Sequence, residues 1–208
     1  MSTCRTFIAI ELPASIRQDI RQHIDRLRQA FPDVRASWSR EDNLHLTLKF
    51  LGDVSVSLIP TLSAACAQAS RQLEPFELVV KGSGIFPTHG RPKVLWVGVQ
   101  GKEPDSASAS VALTDDSQSP LMLLHASVEE ACAAAGFARE PRPYHPHLTI
   151  ARLRESKDAP GLAEQHRQIG FPPRAFTVSE IVLFRSELSS KGSKHTALSR
   201  HQLGPARS

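Results

Sequence analysis

Two six-residue stretches constrain this chain more than any other feature: HLTLKF at residues 45–50 and HLTIAR at residues 147–152. Each alternates polar and aliphatic residues with period two, the pattern of a strand that keeps one face in a core and the other outside it. Parity puts His45, Thr47 and Lys49 on one face and Leu44, Leu46, Leu48 and Phe50 on the other. The second copy sets His147 and Thr149 against Leu148 and Ile150 in the same way. At average composition the chance of a second His-Leu-Thr followed by an aliphatic residue is on the order of one per cent. The repetition, not either copy alone, demands an explanation.

The chain is large enough to build a site from two such strands. Its 208 residues with 40% hydrophobic content suit one large globular domain or two small lobes. Lys and Arg exceed Asp and Glu by 25 − 21 = 4. That balance favours an anionic ligand mildly, without the dense basic stripe of a duplex-binding protein. The N-terminal apolar run, Phe7 to Ile10, is too short for a signal-peptide core or a membrane span, so a cytoplasmic protein is expected. Cys4, Cys66 and Cys132 are odd in number and lack close pairing, which argues against a disulfide framework or a thiolate metal site.

Three helices follow from 3.6-residue periodicity. Ile16, Ile20, Ile24, Leu27 and Phe31 mark the first, and Leu58, Leu62, Ala65, Cys66, Ala69 and Leu73 the second. Leu121, Leu124, Val128, Ala131, Cys132 and Ala135 mark the third, with Gly136 as its terminator. Strand-like runs lie between and around them: TFIAIEL, LHLTLKFL, FELVVKG, VLWVGV, HLTIARL, FTVSEIVLF and HTALSRHQL. The order strand, helix, His-Leu-Thr strand occurs twice, which suggests two similar lobes facing each other. Residues 101–120, rich in Ser, Asp, Ala and Pro, read as a flexible surface loop. SSKGSK at residues 189–194 reads as a hairpin turn in which Gly192 takes positive φ.

Two such strands side by side would surround a small anion with two imidazoles and two hydroxyls. That set suits acid–base attack on a phosphodiester: one imidazole deprotonates water while the other, as imidazolium, protonates the departing oxygen. The threonine hydroxyls can donate to non-bridging oxygens, and no metal is required. A single His-x-Thr strand is commonly structural; the pair is what favours chemistry.

The sequence resembles the 2H phosphoesterases, a family marked by two His-x-Ser/Thr-x motifs, and within it the RNA 2′,3′-cyclic phosphodiesterases formerly called 2′-5′ RNA ligases. The resemblance rests on RTFIAIELP, NLHLTLKFLG, GIFPTHGRPKVLWVGV, YHPHLTIAR and FTVSEIVLFRSELSSKGSKHTAL, in that order and over nearly the whole chain. It implies an α+β bilobal fold, with two pseudo-symmetric antiparallel β-sheet lobes and flanking helices around a central cleft, formed by residues 1–208 as one domain. It also implies hydrolysis of a 2′,3′-cyclic phosphate at an RNA 3′ end to a 2′-phosphate, with no cofactor. His45 would be the general acid and His147 the general base, Thr47 and Thr149 would hold phosphate oxygens, and Arg152 would add a cationic contact. Arg152 has the wrong strand parity to share a face with His147, which requires a strand end or a bulge between them. Where the family often has Tyr this chain has His195, a position expected to affect how a nucleoside is held.

Other residues are weaker candidates. His145 and His147 form an i, i+2 pair, but Pro146 disturbs the strand and nothing nearby completes a metal set. His23, His125 and His166 fall in helical patterns and read as surface residues or satisfied partners. Parity puts Phe50 in the core, while Trp96 is open to either a core or a base-stacking role. His89, Arg91 and Lys93 read as a solvated loop or as a basic lip that steers RNA. The expected ligand is RNA with a 2′,3′-cyclic phosphate end or a small cyclic nucleotide, bound by a monomer away from membranes. A binding module without turnover, and the reverse reaction of a 2′-5′ RNA ligase, use the same residues and stay open.

Overall fold

Phe7, Ile8, Ala9 and Ile10 are all buried, so the first strand has apolar partners on both faces and belongs inside a sheet. It is β1 (Thr3–Glu11) of a computed structural model that describes residues 2–102, 119–154, 157–189 and 192–204. The further elements are α1 (Ala14–Ala30), β2 (Ala36–Trp38), β3 (His45–Ser55), α2 (Ile59–Ser70), β4 (Phe76–Phe86) and β5 (Val94–Gly101). They continue with α3 (Pro120–Ala134), β6 (His147–Leu153), α4 (Ala159–Ile169), β7 (Arg174–Val178), β8 (Glu180–Ser189) and β9 (Gly192–Gln202).

The strands form two antiparallel sheets, ordered β3-β1-β8-β9 and β2-β6-β5-β4-β7. The doubling expected from the sequence is a doubling of topology. Each His-Leu-Thr strand, β3 or β6, lies antiparallel to β1 or β5, the strand from which a helix separates it in the chain. Helices α2 and α3 pack together, α2 also against β8 and β9 and α3 against β3, while α4 lies on β4 and α1 on α4. One cluster of buried residues runs through both sheets and all four helices, from Ile20 and Leu62 to Leu124, Leu148 and Leu162. A smaller cluster, Phe7, Ala9, Val182 and Phe184, occupies the opposite face of the first sheet.

Local chemistry explains the boundaries. Helix α3 starts with Ser119 capping the Met122 N–H and ends at Gly136, whose φ of 88° is open to glycine at little cost. The Gly136 N–H donates to the Ala133 carbonyl and the Phe137 N–H to that of Cys132, the paired bonds of a Schellman terminus. Gly192 takes the expected positive φ, 108°, at the start of β9. The loop expected over residues 101–120 falls mostly on residues 103–118, outside the described residues.

Several expectations are corrected. The run FTVSEIVLF is two strands in different sheets, β7 and β8, broken at Ser179. The short strand β2 and the helix α4 have no counterpart among the expected elements; β2 is three residues long, too short for period two to register. Of the helical histidines read as surface residues or satisfied partners, His23 and His166 are the latter, both buried and joined Nε2 to Nδ1 at 3.0 Å. His166 Nε2 donates to the Trp96 carbonyl at 3.0 Å, so His23 supplies the proton between the rings. Burial holds His23 down at about 4, which keeps it neutral near pH 7.

Lys49 and Phe50 exchange the faces that parity assigns them: Lys49 is 4% exposed and Phe50 61%. Lys49 Nζ donates to both carboxylate oxygens of Glu129 on α3, at 2.7 and 2.8 Å, and to the Ala138 carbonyl at 2.8 Å. Glu129 also accepts from the Glu140 N–H at 3.2 Å. All three ammonium protons are used, so the pair fixes β3 to α3 and to the segment leading into β6. Removing one member of such a pair leaves the other charged, buried and unpaired. Lys49→Met is therefore expected to destabilise the protein by roughly 3–5 kcal/mol in urea titration, with Lys49→Met/Glu129→Met recovering most of the loss. Equal losses in the single and double variants would contradict this coupling.

Candidate active site

Strands β3 and β6 share one irregularity. Ala9 pairs with Thr47 and Ile8 with Lys49, so Leu48 is an extra residue in β3. Trp96 pairs with Thr149 and Leu95 with Ala151, so Ile150 is an extra residue in β6. A bulge makes two successive side chains face the same way and reverses parity beyond it. Leu48 and Lys49 are buried together, as are Ile150 and Ala151, and the next residues, Phe50 and Arg152, emerge exposed. The irregularity required to bring Arg152 to the side of His147 and Thr149 is thus present. The same device in β3 exposes Phe50, against the core position expected for it.

The bulged strands approach each other and are tied reciprocally. Tyr144, three residues before His147, donates its hydroxyl to the Thr47 carbonyl at 3.0 Å. Ser39, six residues before His45, donates its hydroxyl to the Thr149 carbonyl at 2.7 Å, and its N–H to the Ile150 carbonyl at 2.9 Å. These bonds fill gaps in the ladders. β3 is an edge strand, and β2 pairs with β6 only from Ala151 to Leu153, leaving backbone acceptors beyond both. Tyr144 is stacked on His125 of α3 with centroids 4.0 Å apart, so its orientation is set by the same helix that holds Lys49.

His45 lies over an aromatic floor. Phe7 stacks on its ring with centroids 4.6 Å apart, and His195 of β9 meets it edge-on at 5.1 Å. Asn43 carries its side-chain amide to the Ser193 carbonyl at 2.8 Å, joining the entry of β3 to β9 beside His195. The position expected to touch a nucleoside is therefore beside the first imidazole. His147 sits against Phe86 and Trp96, at centroid distances of 5.2 and 6.3 Å. The Trp96 indole lies over Gly84, where a Cβ would fall 2.1 Å from the ring. Trp96 is half-buried beside His147, whereas Arg91 stands exposed in the turn before β5.

His147 Nδ1 donates to the His145 carbonyl at 2.7 Å, since a carbonyl can only accept. In the neutral ring Nε2 is then the lone-pair nitrogen, the state a general base needs. Burial lowers the pKa of His147, and burial followed by repulsion from His195 brings His45 down to about 4. Both shifts favour the neutral rings. An anion between them favours the charged forms, so its binding draws in protons. Among the described residues no group of three His, Cys, Asp or Glu side chains is placed to hold a metal ion, and no helix is long and apolar enough to cross a membrane.

Phe7, Ser39, Tyr144 and the bulges of β3 escape reading from the sequence, whereas the parity of Arg152 pointed to the one in β6. Tyr144 leaves one trace, as the chain's single tyrosine immediately ahead of the second motif; Ser39 leaves none. Sulfate, whose charge is constant over the range, is expected to bind more tightly as pH falls from 7 to 5 and to raise the pKa values of His45 and His147 in histidine NMR titrations. Affinity and histidine pKa values insensitive to this pairing would contradict the electrostatic account.

A family model of the 2′-5′ RNA ligase superfamily matches residues 16–189. The chain is 31% identical over 197 residues to an RNA 2′,3′-cyclic phosphodiesterase of Methanothermobacter thermautotrophicus, covering 92% of this chain and 95% of that one. It is also 31% identical over 204 residues to the Escherichia coli RNA 2′,3′-cyclic phosphodiesterase, covering 96% of each chain. Its fold matches the crystal structure of Escherichia coli LigT complexed with 3′-AMP with a TM-score of 0.69 and 26% identity, over 97% of this chain and 99% of that one.

Proposed function

The chain belongs to the 2′-5′ RNA ligase superfamily, and from that premise we propose that it hydrolyses 2′,3′-cyclic phosphate ends of RNA to 2′-phosphates by metal-independent two-histidine catalysis. The observation that carries this reading is the matched pair of bulged His-Leu-Thr strands, one of which turns Arg152 to the side of His147 and Thr149. Support comes from relatives named RNA 2′,3′-cyclic phosphodiesterase and from a structural relative whose crystal holds 3′-AMP, a nucleotide.

In this reading water attacks phosphorus while His147 Nε2 accepts its proton, with the Nδ1 bond to His145 keeping the ring in the required tautomer. The bond from phosphorus to the 3′ oxygen breaks, and that oxygen takes a proton from His45. Burial and the neighbouring His195 favour the neutral His45 ring, so the anionic phosphate itself draws in the proton that the ring delivers. Thr47, Thr149 and Arg152 stabilise the charge that builds on the phosphorus oxygens. The joining reaction follows the same path with an RNA 5′-hydroxyl in place of water: His147 takes its proton and His45 protonates the same departing 3′ oxygen. Trp96 and His195, on the floor and at the side of the two imidazoles, stand where a nucleoside attached to that phosphate is contacted.

Phosphorus NMR tests the reading directly. An RNA oligonucleotide ending in a 2′,3′-cyclic phosphate, incubated with the protein in excess EDTA, is expected to convert to the 2′-monophosphate. His45→Ala and His147→Ala are each expected to lose at least about a thousandfold in rate, within the range of removed acid–base groups. Thr47→Val and Thr149→Val should lose less, roughly ten- to a hundredfold. Binding of the RNA with an unchanged cyclic signal would favour a module without turnover, and exclusive formation of the 3′-phosphate would contradict the assigned leaving oxygen.

A further inference from the structure

The parity reversal that exposes Arg152 also orients the residues beyond it. Two positions further on, Arg154 returns to the same face, about 7 Å along the strand direction. Its N–H donates to the Arg35 carbonyl at 2.8 Å, and the pairing of Ala36 with Leu153 places Arg35 directly across from Arg154. Cross-strand partners share a face. From the reacting centre outward, this face of the second sheet therefore presents His147, Thr149, Arg152, and then Arg154 beside Arg35. Lys93 stands at the same corner, its carbonyl accepting the Leu153 N–H at 2.8 Å.

These cations are exposed and uncommitted. Arg35, Lys93, Arg152 and Arg154 enter no ion pair among the described residues, whereas Arg21, Arg139, Arg142, Arg174, Arg185 and Arg200 each hold a carboxylate. The other lobe supplies an internal control. Where β6 has Arg152, with Arg154 just beyond its end, the position of β3 that matches Arg152 through the same bulge is Phe50; a second bulge at Leu51 follows, and β3 runs on to Ser55 without a Lys or Arg. Only one of the two strands leads away from the imidazoles as a row of positive charge.

Building on the reaction proposed above, we infer that Arg154 and Arg35 form a track for the phosphates upstream of the reacting cyclic phosphate, so that these two residues set a preference for oligonucleotide over mononucleotide ends. An extended strand places successive phosphates at a step comparable to the spacing between Arg152 and Arg154. The guanidinium fork suits each of them bidentately. Such contacts carry no sequence information, so the track reads length and charge and not base identity.

The test compares kcat/KM for 2′,3′-cyclic AMP with that for a trinucleotide carrying the same 3′ end, in wild type, in Arg35→Gln/Arg154→Gln and in Arg35→Lys/Arg154→Lys. Wild type is expected to prefer the trinucleotide by tenfold or more, with a salt slope steeper by about 0.7 for each phosphate neutralised. The Gln pair should abolish most of that preference and the added slope, and the Lys pair should keep the slope. A wild type that treats both substrates alike, or a preference that survives in the Gln pair, overturns the track. Fluorescence anisotropy with a trinucleotide ending in an ordinary 3′-phosphate separates the two proposals. If wild type turns over neither cyclic substrate, the proposed reaction fails; tighter trinucleotide binding in wild type than in the Gln pair still supports the track, and equal binding still overturns it.

Discussion

Everything about this cleft depends on two side-chain hydroxyls donated across it. Tyr144 reaches the Thr47 carbonyl from the segment entering β6, and Ser39 reaches the Thr149 carbonyl from the segment entering β3. Each is worth only about 1 kcal/mol in net stability, so their importance is geometric. They fix one His-Leu-Thr strand against the other at Thr47 and Thr149, the two residues proposed to face the same ligand. Catalytic geometry tolerates errors of well under an ångström, and a pair of edge-exposed strands joined only through their own sheets has no such precision. The Lys49–Glu129 pair secures the same relationship from below, joining β3 to α3 and to the segment that carries Tyr144.

The bulges turn that frame into a site with direction. Two strands of similar pattern, each with one extra residue directly after threonine and β3 with a second at Leu51, hold equivalent imidazoles and hydroxyls but differ in what comes next. One presents a phenyl ring and then no cation, the other two arginines. The imidazoles differ as well. Each has a backbone hydrogen bond two residues back, to Asn43 or His145, but His45 is hemmed by Phe7 and His195 and His147 by Phe86 and Trp96. Pseudo-symmetry makes the pair, and these departures from it are what the proposed reaction uses to give the two halves different roles.

How far the fold and the site were legible in the sequence depended on how local each feature is. Strands and helices with long, regular apolar patterns were readable because burial on one face writes period two or 3.6 directly into the chain; β6 and α3 are examples. The imidazoles and threonines were readable because their pattern occurs twice. The bulges were not, since a bulge is a property of pairing with another strand. At Arg152 the mismatch between parity and expected role betrayed one, while at Lys49 and Phe50 nothing did. A lysine flanked by an apolar strand reads as solvent-facing until its partner, Glu129, eighty residues later, is known. β2 and Ser39 fall below the length at which any period registers.

The central claim is that the two halves act as one unit on one phosphate, and the rate of the His45→Ala/His147→Ala double variant measured beside both single variants tests it most directly. Groups that act together in one transition state are grossly non-additive. The double variant is therefore expected to be little slower than the slower single variant. Losses that multiply, so that the double variant falls by the product of the two, would mean that the imidazoles contribute independently and would contradict the account.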